Sequence, residues 1–255
     1  MREAPSPASK VVSQALFGEE ISVRQKAVDW SEIQTPDGYF GWVPSDTYIA
    51  SPSPYLQGEA AVVSRLSGHI YSSPDIEFGP KITIPYAAPL KVLENRDPRW
   101  VRIALPNGEE GFIQRGDLAP EKKLRSKKDL IPFSKKFLGL PYTWGGRSSF
   151  GYDCSGFVQM LYSRLGLLLP RDSIDQSQDP RLLHIPIEDC KPGDLLFFGK
   201  NPEKIQHVAL FLGKTAFIHA SSKENKPYLR ISRLTYPEWS GSPEASYPYR
   251  TARSI

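Results

Sequence analysis

The stretch Tyr152-Asp153-Cys154-Ser155-Gly156-Phe157-Val158-Gln159-Met160-Leu161-Tyr162 places a cysteine directly ahead of an apolar pattern. Phe157, Val158, Leu161, Tyr162 and Leu165 recur at helical spacing, and Gly166 is a natural C-terminal stop. Cys154 therefore stands at the predicted start of a helix. Free N–H groups and the positive end of the helix dipole gather there, and both favour a thiolate over a thiol. Asp153 would oppose this if its carboxylate faced the sulfur, so it is expected to face the backbone or a substrate. The second cysteine, Cys190, lies in Glu188-Asp189-Cys190-Lys191-Pro192 and reads as a small buried hydrophobe. With two cysteines in 255 residues, a disulfide framework is not expected.

Downstream, Leu195 to Phe198 reads as a strand after the turn Lys191-Pro192-Gly193-Asp194. Val208 to Leu212 and Ala216 to Ala220 read as a hairpin closed by Gly213-Lys214-Thr215. His207 and His219, 12 residues apart, come together near one end of that hairpin. A thiol nucleophile needs a base and a group that orients the base, and Cys154, His207 and His219 can fill those roles. The backbone N–H of Cys154 is a candidate oxyanion donor. Taken singly, either histidine also reads as an ordinary core or surface residue. A zinc site built from the same three residues lacks the close-spaced ligand pairs of structural zinc centres. His69 and His184 receive no role. Asp129 to Leu138 reads as helical, so residues 125–255 form a helix-then-sheet, α+β segment.

Upstream the chain changes character. Residues 1–50 carry β-like stretches at Ser9 to Leu16, Glu20 to Gln25, Trp30 to Thr35 and Tyr39 to Val43. Five or so strands in that length imply a small barrel. Ser51-Pro52-Ser53-Pro54 marks a boundary, and residues 55–120 repeat the theme. Trp30 and Pro36-Asp37-Gly38-Tyr39-Phe40-Gly41-Trp42-Val43 are echoed by Trp100 and Pro106-Asn107-Gly108-Glu109-Glu110-Gly111-Phe112-Ile113. This is an internal repeat with a tight turn where a hairpin needs one.

Hydrophobic content of 40% and charged content of 24% fit a folded globular chain. The 24 prolines favour strands and loops over long helices. A net charge of +4 does not imply nucleic-acid binding. The basic run Lys122, Lys123, Arg125, Lys127 and Lys128 reads as a solvated linker or helix face, with a patch steering toward a polyanionic cell wall as the lesser reading. No apolar run is long enough to span a membrane. Met1 to Lys10 lacks the apolar centre of a signal peptide. The expectation is therefore a cytoplasmic monomer without nucleic-acid or membrane partners, or a periplasmic or secreted protein if the sequence is trimmed.

Residues 138–220 resemble the NlpC-type cell-wall cysteine peptidases, whose catalytic domain is a trimmed papain relative. The resemblance rests on Pro141-Tyr142-Thr143-Trp144-Gly145-Gly146, Tyr152 to Phe157, and Leu169-Pro170-Arg171-Asp172-Ser173 with Gln176. It continues through Pro192 to Phe198, His207-Val208-Ala209-Leu210 and Phe217-Ile218-His219-Ala220. It implies catalytic roles for Cys154, His207 and His219, with no cofactor or metal. Segments 1–50 and 55–120 resemble bacterial SH3-like domains. Together the architecture is similar to that of the γ-D-glutamyl-L-diamino acid endopeptidases, which cut peptidoglycan stem peptides bearing a free N-terminal L-alanine. That likeness implies that Asp153 pairs with the ammonium and that Ser155 and Ser173 add hydroxyl contacts. It further implies that Glu19 and Tyr39 wall the pocket, and that Tyr142 and Trp144 line the site. Each has a plainer reading as a barrel aromatic, surface charge or helix cap. Whether the diamino acid is meso-diaminopimelate or lysine is open. A wall-binding protein and a thiol amidase or acyltransferase are the alternatives.

Overall fold

Proline and turn residues every few positions break the chain into short strands, and helices are few. The computed structural model describes residues 1–51, 53–120, 123–201, 203–240 and 248–255. Pro52 of the expected boundary and Lys122 of the basic run lie outside them. The chain divides into two compact units. One is Met1–Lys122 with Ser148–Phe150, and the other is Lys123–Arg147 with Gly151–Ile255.

In the first unit, β1 (Ser22–Lys26), β2 (Trp30–Gln34) and β3 (Phe40–Pro44) form an antiparallel three-stranded sheet. The expected strand Ser9 to Leu16 does not form a ladder. Its backbone is satisfied piecemeal against the N-terminus: the Val12 N–H donates to Met1 O and the Glu3 N–H to Lys10 O, with one bridge between Arg2 and Val11. The same unit carries β4 (Ala60–Val63), β5 (Ser67–Tyr71), β6 (Ile82–Pro85), β7 (Pro89–Glu94), β8 (Trp100–Ala104), β9 (Glu110–Gln114) and β10 (Leu118–Ala119). Their order in one sheet is β10-β4-β7-β8-β9-β5-β6. It packs on a core that includes Val63, Ile70, Leu90, Ile103 and Ile113, all essentially buried.

The internal repeat is visible as two hairpins of matching register. β2 and β3 pair Trp30 with Pro44 and Gln34 with Phe40, and β8 and β9 pair Trp100 with Gln114 and Ala104 with Glu110. Gly38 and Gly108 sit at φ +84° and +82°, a conformation that costs glycine no Cβ clash. The Asp37 and Asn107 side chains accept from the Tyr39 and Glu109 N–H groups, which is why a short polar residue precedes each glycine.

In the second unit, α1 (Leu130–Ser134) is flanked by single 3₁₀ turns, so the helical stretch expected from Asp129 to Leu138 is there in broken form. Pro132 fits because it falls in the first turn, where its missing N–H costs nothing. The hairpin β11 (Arg147–Ser148) and β12 (Gly151–Tyr152) precedes α2 (Cys154–Ser163), and α3 (Ser173–Ser177) follows. The sheet comprises β13 (Leu183–Ile185), β14 (Leu195–Gly199), β15 (Ile205–Gly213), β16 (Ala216–Ser221), β17 (Tyr228–Arg233) and β18 (Tyr249–Ser254). It is antiparallel throughout, in the order β13-β18-β14-β15-β16-β17. The central strands β14 and β15 are almost wholly buried, as expected of near-continuous apolar runs covered on both faces. Contacts from α2 and α3 fall on β15, the strand that carries His207.

Candidate active site

Cys154 is the first residue of α2, and Asp153 is its N-cap. Extended backbone at Asp153 lets its Oδ1 accept the Gly156 N–H at 2.7 Å, the usual reward for an acidic cap. Oδ2 accepts the Gly145 N–H at 3.0 Å. The glycines of the upstream motif are explained by this close approach. A Cβ on Gly156 would lie 2.1 Å from the Gly146 carbonyl oxygen, and one on Gly146 would lie 2.2 Å from that of Gly151.

Arg171 closes the network. Its guanidinium spans both Asp153 oxygens and donates to Ser155 Oγ at 2.9 Å, while Ser155 Oγ donates to Asp153 Oδ1 at 3.2 Å. Arg171 is 2% exposed, so this is a buried ion pair. Gln176 Nε2 donates to the Ser155 and Pro170 carbonyls, tying α3 to the start of α2. The sequence motif read as Leu169-Pro170-Arg171-Asp172-Ser173 with Gln176 thus contributes, through Arg171 and Gln176, a brace for the helix bearing the cysteine.

The two histidines meet as the hairpin requires. Leu210 faces Ile218 and Phe211 faces Phe217, so Ala209 opposes His219 and His207 is its diagonal neighbour on the same face. His207 Nε2 and His219 Nδ1 are 2.9 Å apart, and His219 Nε2 is 2.9 Å from Ser232 Oγ on β17. Trp239 packs on both imidazoles, at ring-centroid distances of 5.0 and 4.7 Å. Its indole N–H donates to Glu224 Oε1, which also pairs with Arg230.

Burial governs the electrostatics. The Cys154 thiol is pushed up to about 12, first by burial and then by the Asp153 charge. The Val208 N–H, the Arg171 charge and the Ser155 N–H pull the other way and lose. The thiolate-favouring helix start expected from the sequence is thus opposed by burial and by the Asp153 charge. His207 is pushed down to about 3 by burial and then by Arg230. His219 is lowered by burial, by His207 and by Arg230. Both shifts act toward the neutral forms, thiol and imidazole. The Val208 N–H that reaches the sulfur belongs to the residue after His207, which ties the helix start to the histidine-bearing strand.

The other expected residues fall as follows. Ser155 and Ser173 are buried at the first turns of α2 and α3. Tyr142 is half-buried, and Trp144 is 70% exposed. Glu19 and Tyr39 belong to the first unit. There, Glu19 Oε2 accepts the Leu16 N–H at 2.9 Å, and half-buried Tyr39 closes the Thr35 turn through its carbonyl. Ser232, Arg230 and Trp239 were not legible as site residues. Ser232 and Arg230 could have been found only through the register of β16 with β17, and Trp239 lies in no recognisable motif.

Known proteins resemble this chain in sequence and in fold. Residues 139–241 match the model of the NlpC/P60 family, and residues 1–47 match that of the bacterial dipeptidyl-peptidase Sh3 domain. A γ-D-glutamyl-L-lysine dipeptidyl-peptidase of Bacillus cereus is 32% identical over 234 residues, covering 85% of this chain and 69% of that protein. Dipeptidyl-peptidase 6 of Lysinibacillus sphaericus is 26% identical, covering 87% of this chain and 84% of the relative. A crystal structure of an NlpC/P60 family protein from Bacillus cereus superposes with a TM-score of 0.80 at 30% identity, covering 95% of this chain and 81% of that one.

Proposed function

This chain belongs to the NlpC/P60 family, and from that premise we propose that Cys154, His207 and His219 are its catalytic residues. The protein is a cysteine peptidase that hydrolyses the γ-D-glutamyl bond to a diamino acid in peptidoglycan-derived peptides. The observation that supports the residue assignment most directly is the buried His207–His219 hydrogen bond, with the N–H of Val208, next to His207, reaching the sulfur of a cysteine at a helix start.

The shifts toward a neutral thiol and a neutral imidazole favour proton transfer during attack over a standing thiolate–imidazolium pair. Cys154 is too weak an acid to ionise alone, so His207 takes its proton as the sulfur attacks the γ-glutamyl carbonyl. The Cys154 N–H at the start of α2 holds the oxyanion. Protonated His207 donates to the leaving amine of the diamino acid. It then accepts a proton from the water that clears the acyl-enzyme. His219 orients His207 throughout.

The substrate carries a free N-terminal L-alanine in this reading. Asp153 is assigned its ammonium, with Ser155 and Ser173 adding hydroxyls and Tyr142 and Trp144 lining the site. Two carboxylate oxygens offer about four lone-pair positions. The Gly145 and Gly156 N–H groups, Ser155 Oγ and the Arg171 guanidinium already converge on them, so the ammonium must share the carboxylate with Arg171. The matching hairpins further support reading residues 55–120 as a second SH3-like domain. Monomeric action on small wall fragments during recycling completes the proposal.

The test uses L-Ala-γ-D-Glu-meso-diaminopimelate, its L-lysine counterpart and the N-acetylated form of each, with products read by mass spectrometry. Release of L-Ala-D-Glu from the free peptides only, lost in Cys154→Ala, is the expected result. Cleavage of the acetylated peptides would sink the ammonium assignment. Cleavage of neither by a folded wild type would overturn the reading.

A further inference from the structure

The His207–His219 pair is continued by a third group. Phe217 faces Ser232 across β16 and β17, which puts Ser232 diagonal to His219 on the same sheet face. Ser232 is 2% exposed, and its Oγ lies 2.9 Å from His219 Nε2. The three polar side chains form one line across three strands, walled by Phe217 and Trp239.

Each of the two contacts holds a single proton, so the neutral line has two consistent arrangements. In the first, His207 Nε2–H donates to His219 Nδ1, and His219 Nε2–H donates to Ser232 Oγ. His207 Nδ1 is then unprotonated and can take the Cys154 proton. In the second, the Ser232 hydroxyl donates to His219 Nε2, and His219 Nδ1–H donates to His207 Nε2. The remaining proton of His207 then sits on Nδ1, and the ring cannot act as base toward the thiol. Proton transfer from sulfur makes His207 cationic, which strengthens donation away from it, through His219, to the hydroxyl.

We propose that Ser232 is a positioning residue, the terminal acceptor that holds the histidine pair in the one tautomer able to deprotonate Cys154. The proposal rests on the assignment of Cys154 and His207 made above. Nothing in it requires Ser232 to touch substrate, so its effect falls on kcat and not on KM.

The experiment measures steady-state cleavage of the tripeptide by wild type, Ser232→Ala, Ser232→Thr and Ser232→Val, with Cys154→Ala and His207→Ala as controls. Long-range ¹⁵N–¹H spectra report which ring nitrogens carry protons. Ser232→Ala is expected to lower kcat roughly ten- to a hundred-fold, the consequence of a buried donor losing its acceptor, with KM unchanged. Threonine restores activity and near-isosteric valine does not, and Ser232→Ala loses the uniform Nε2–H pattern of the wild type. An unchanged kcat and proton pattern in Ser232→Ala overturns the role of Ser232. If the alanine variant does not fold, the Thr/Val pair decides, and equal activity of the two overturns it. Activity surviving in Cys154→Ala or His207→Ala instead overturns the catalytic assignment itself, independently of what Ser232 does.

Discussion

Replacing Arg171 by methionine keeps roughly the length of the side chain and removes its charge and every donor. Three hydrogen bonds disappear, two to Asp153 and one to Ser155 Oγ, and a 7%-exposed carboxylate loses its cation. Removing one partner of a buried pair costs roughly 3–5 kcal/mol, which for a unit of this size lowers the unfolding midpoint by roughly 6–20 °C. The same change takes away the charge that, with the Val208 and Ser155 N–H groups, pulls the Cys154 thiol down, so the thiol becomes a still weaker acid. Calorimetry of wild type, Arg171→Met, Asp153→Asn and the double variant separates the contributions. Both single variants should be destabilised, and the double should recover part of the loss because no unpaired charge remains. A midpoint for Arg171→Met within about 2 °C of wild type, less than one kcal/mol would shift it, would refute the claim that this pair braces the helix start. So would a double variant that merely sums the single losses.

The remaining expectations are briefer. Burial and Arg230 push folded His207 from its ordinary 6.5 down to about 3, so the unfolded chain binds the extra proton in that window. Its contribution to stability is therefore level above pH 6.5 and falls on acidification by up to about 1.4 kcal/mol per pH unit. Urea midpoints of wild type and His207→Gln should converge or cross as pH drops through it, and a pH-independent gap would contradict this. Gly156→Ala drives a Cβ against the Gly146 carbonyl oxygen, so it should yield little folded, active protein, whereas Gly108→Ala, which meets nothing within 4 Å, pays only for its φ. Glu19→Gln and Tyr39→Phe test the roles implied by resemblance: a rise in KM for the free-amine tripeptide supports them, and unchanged kinetics removes them.

Much was decided locally. The start of α2 at Cys154, its end in the turn that leads to Gly166, the β15–β16 hairpin and the two repeated turns all depend on short-range rules of capping, periodicity and glycine conformation. Those rules act within a few residues and leave a mark in any single chain. Ser9 to Leu16 shows the limit of such reading. Its alternation suits a strand, but a strand needs a neighbour at the right register, and the N-terminal residues engage it only point by point. The protonation state of the site went the same way. A helix start argues for a thiolate, and only the assembled core shows that burial outweighs it. Ser232 and Trp239 lie 13 and 20 residues beyond His219 and touch it only after β17 has paired and the following loop has folded back. Capping, turns and the order of the chemical groups were thus written in the sequence. Desolvation and the alignment of side chains across strands depend on what the rest of the chain places around them, and only the tertiary structure decided those.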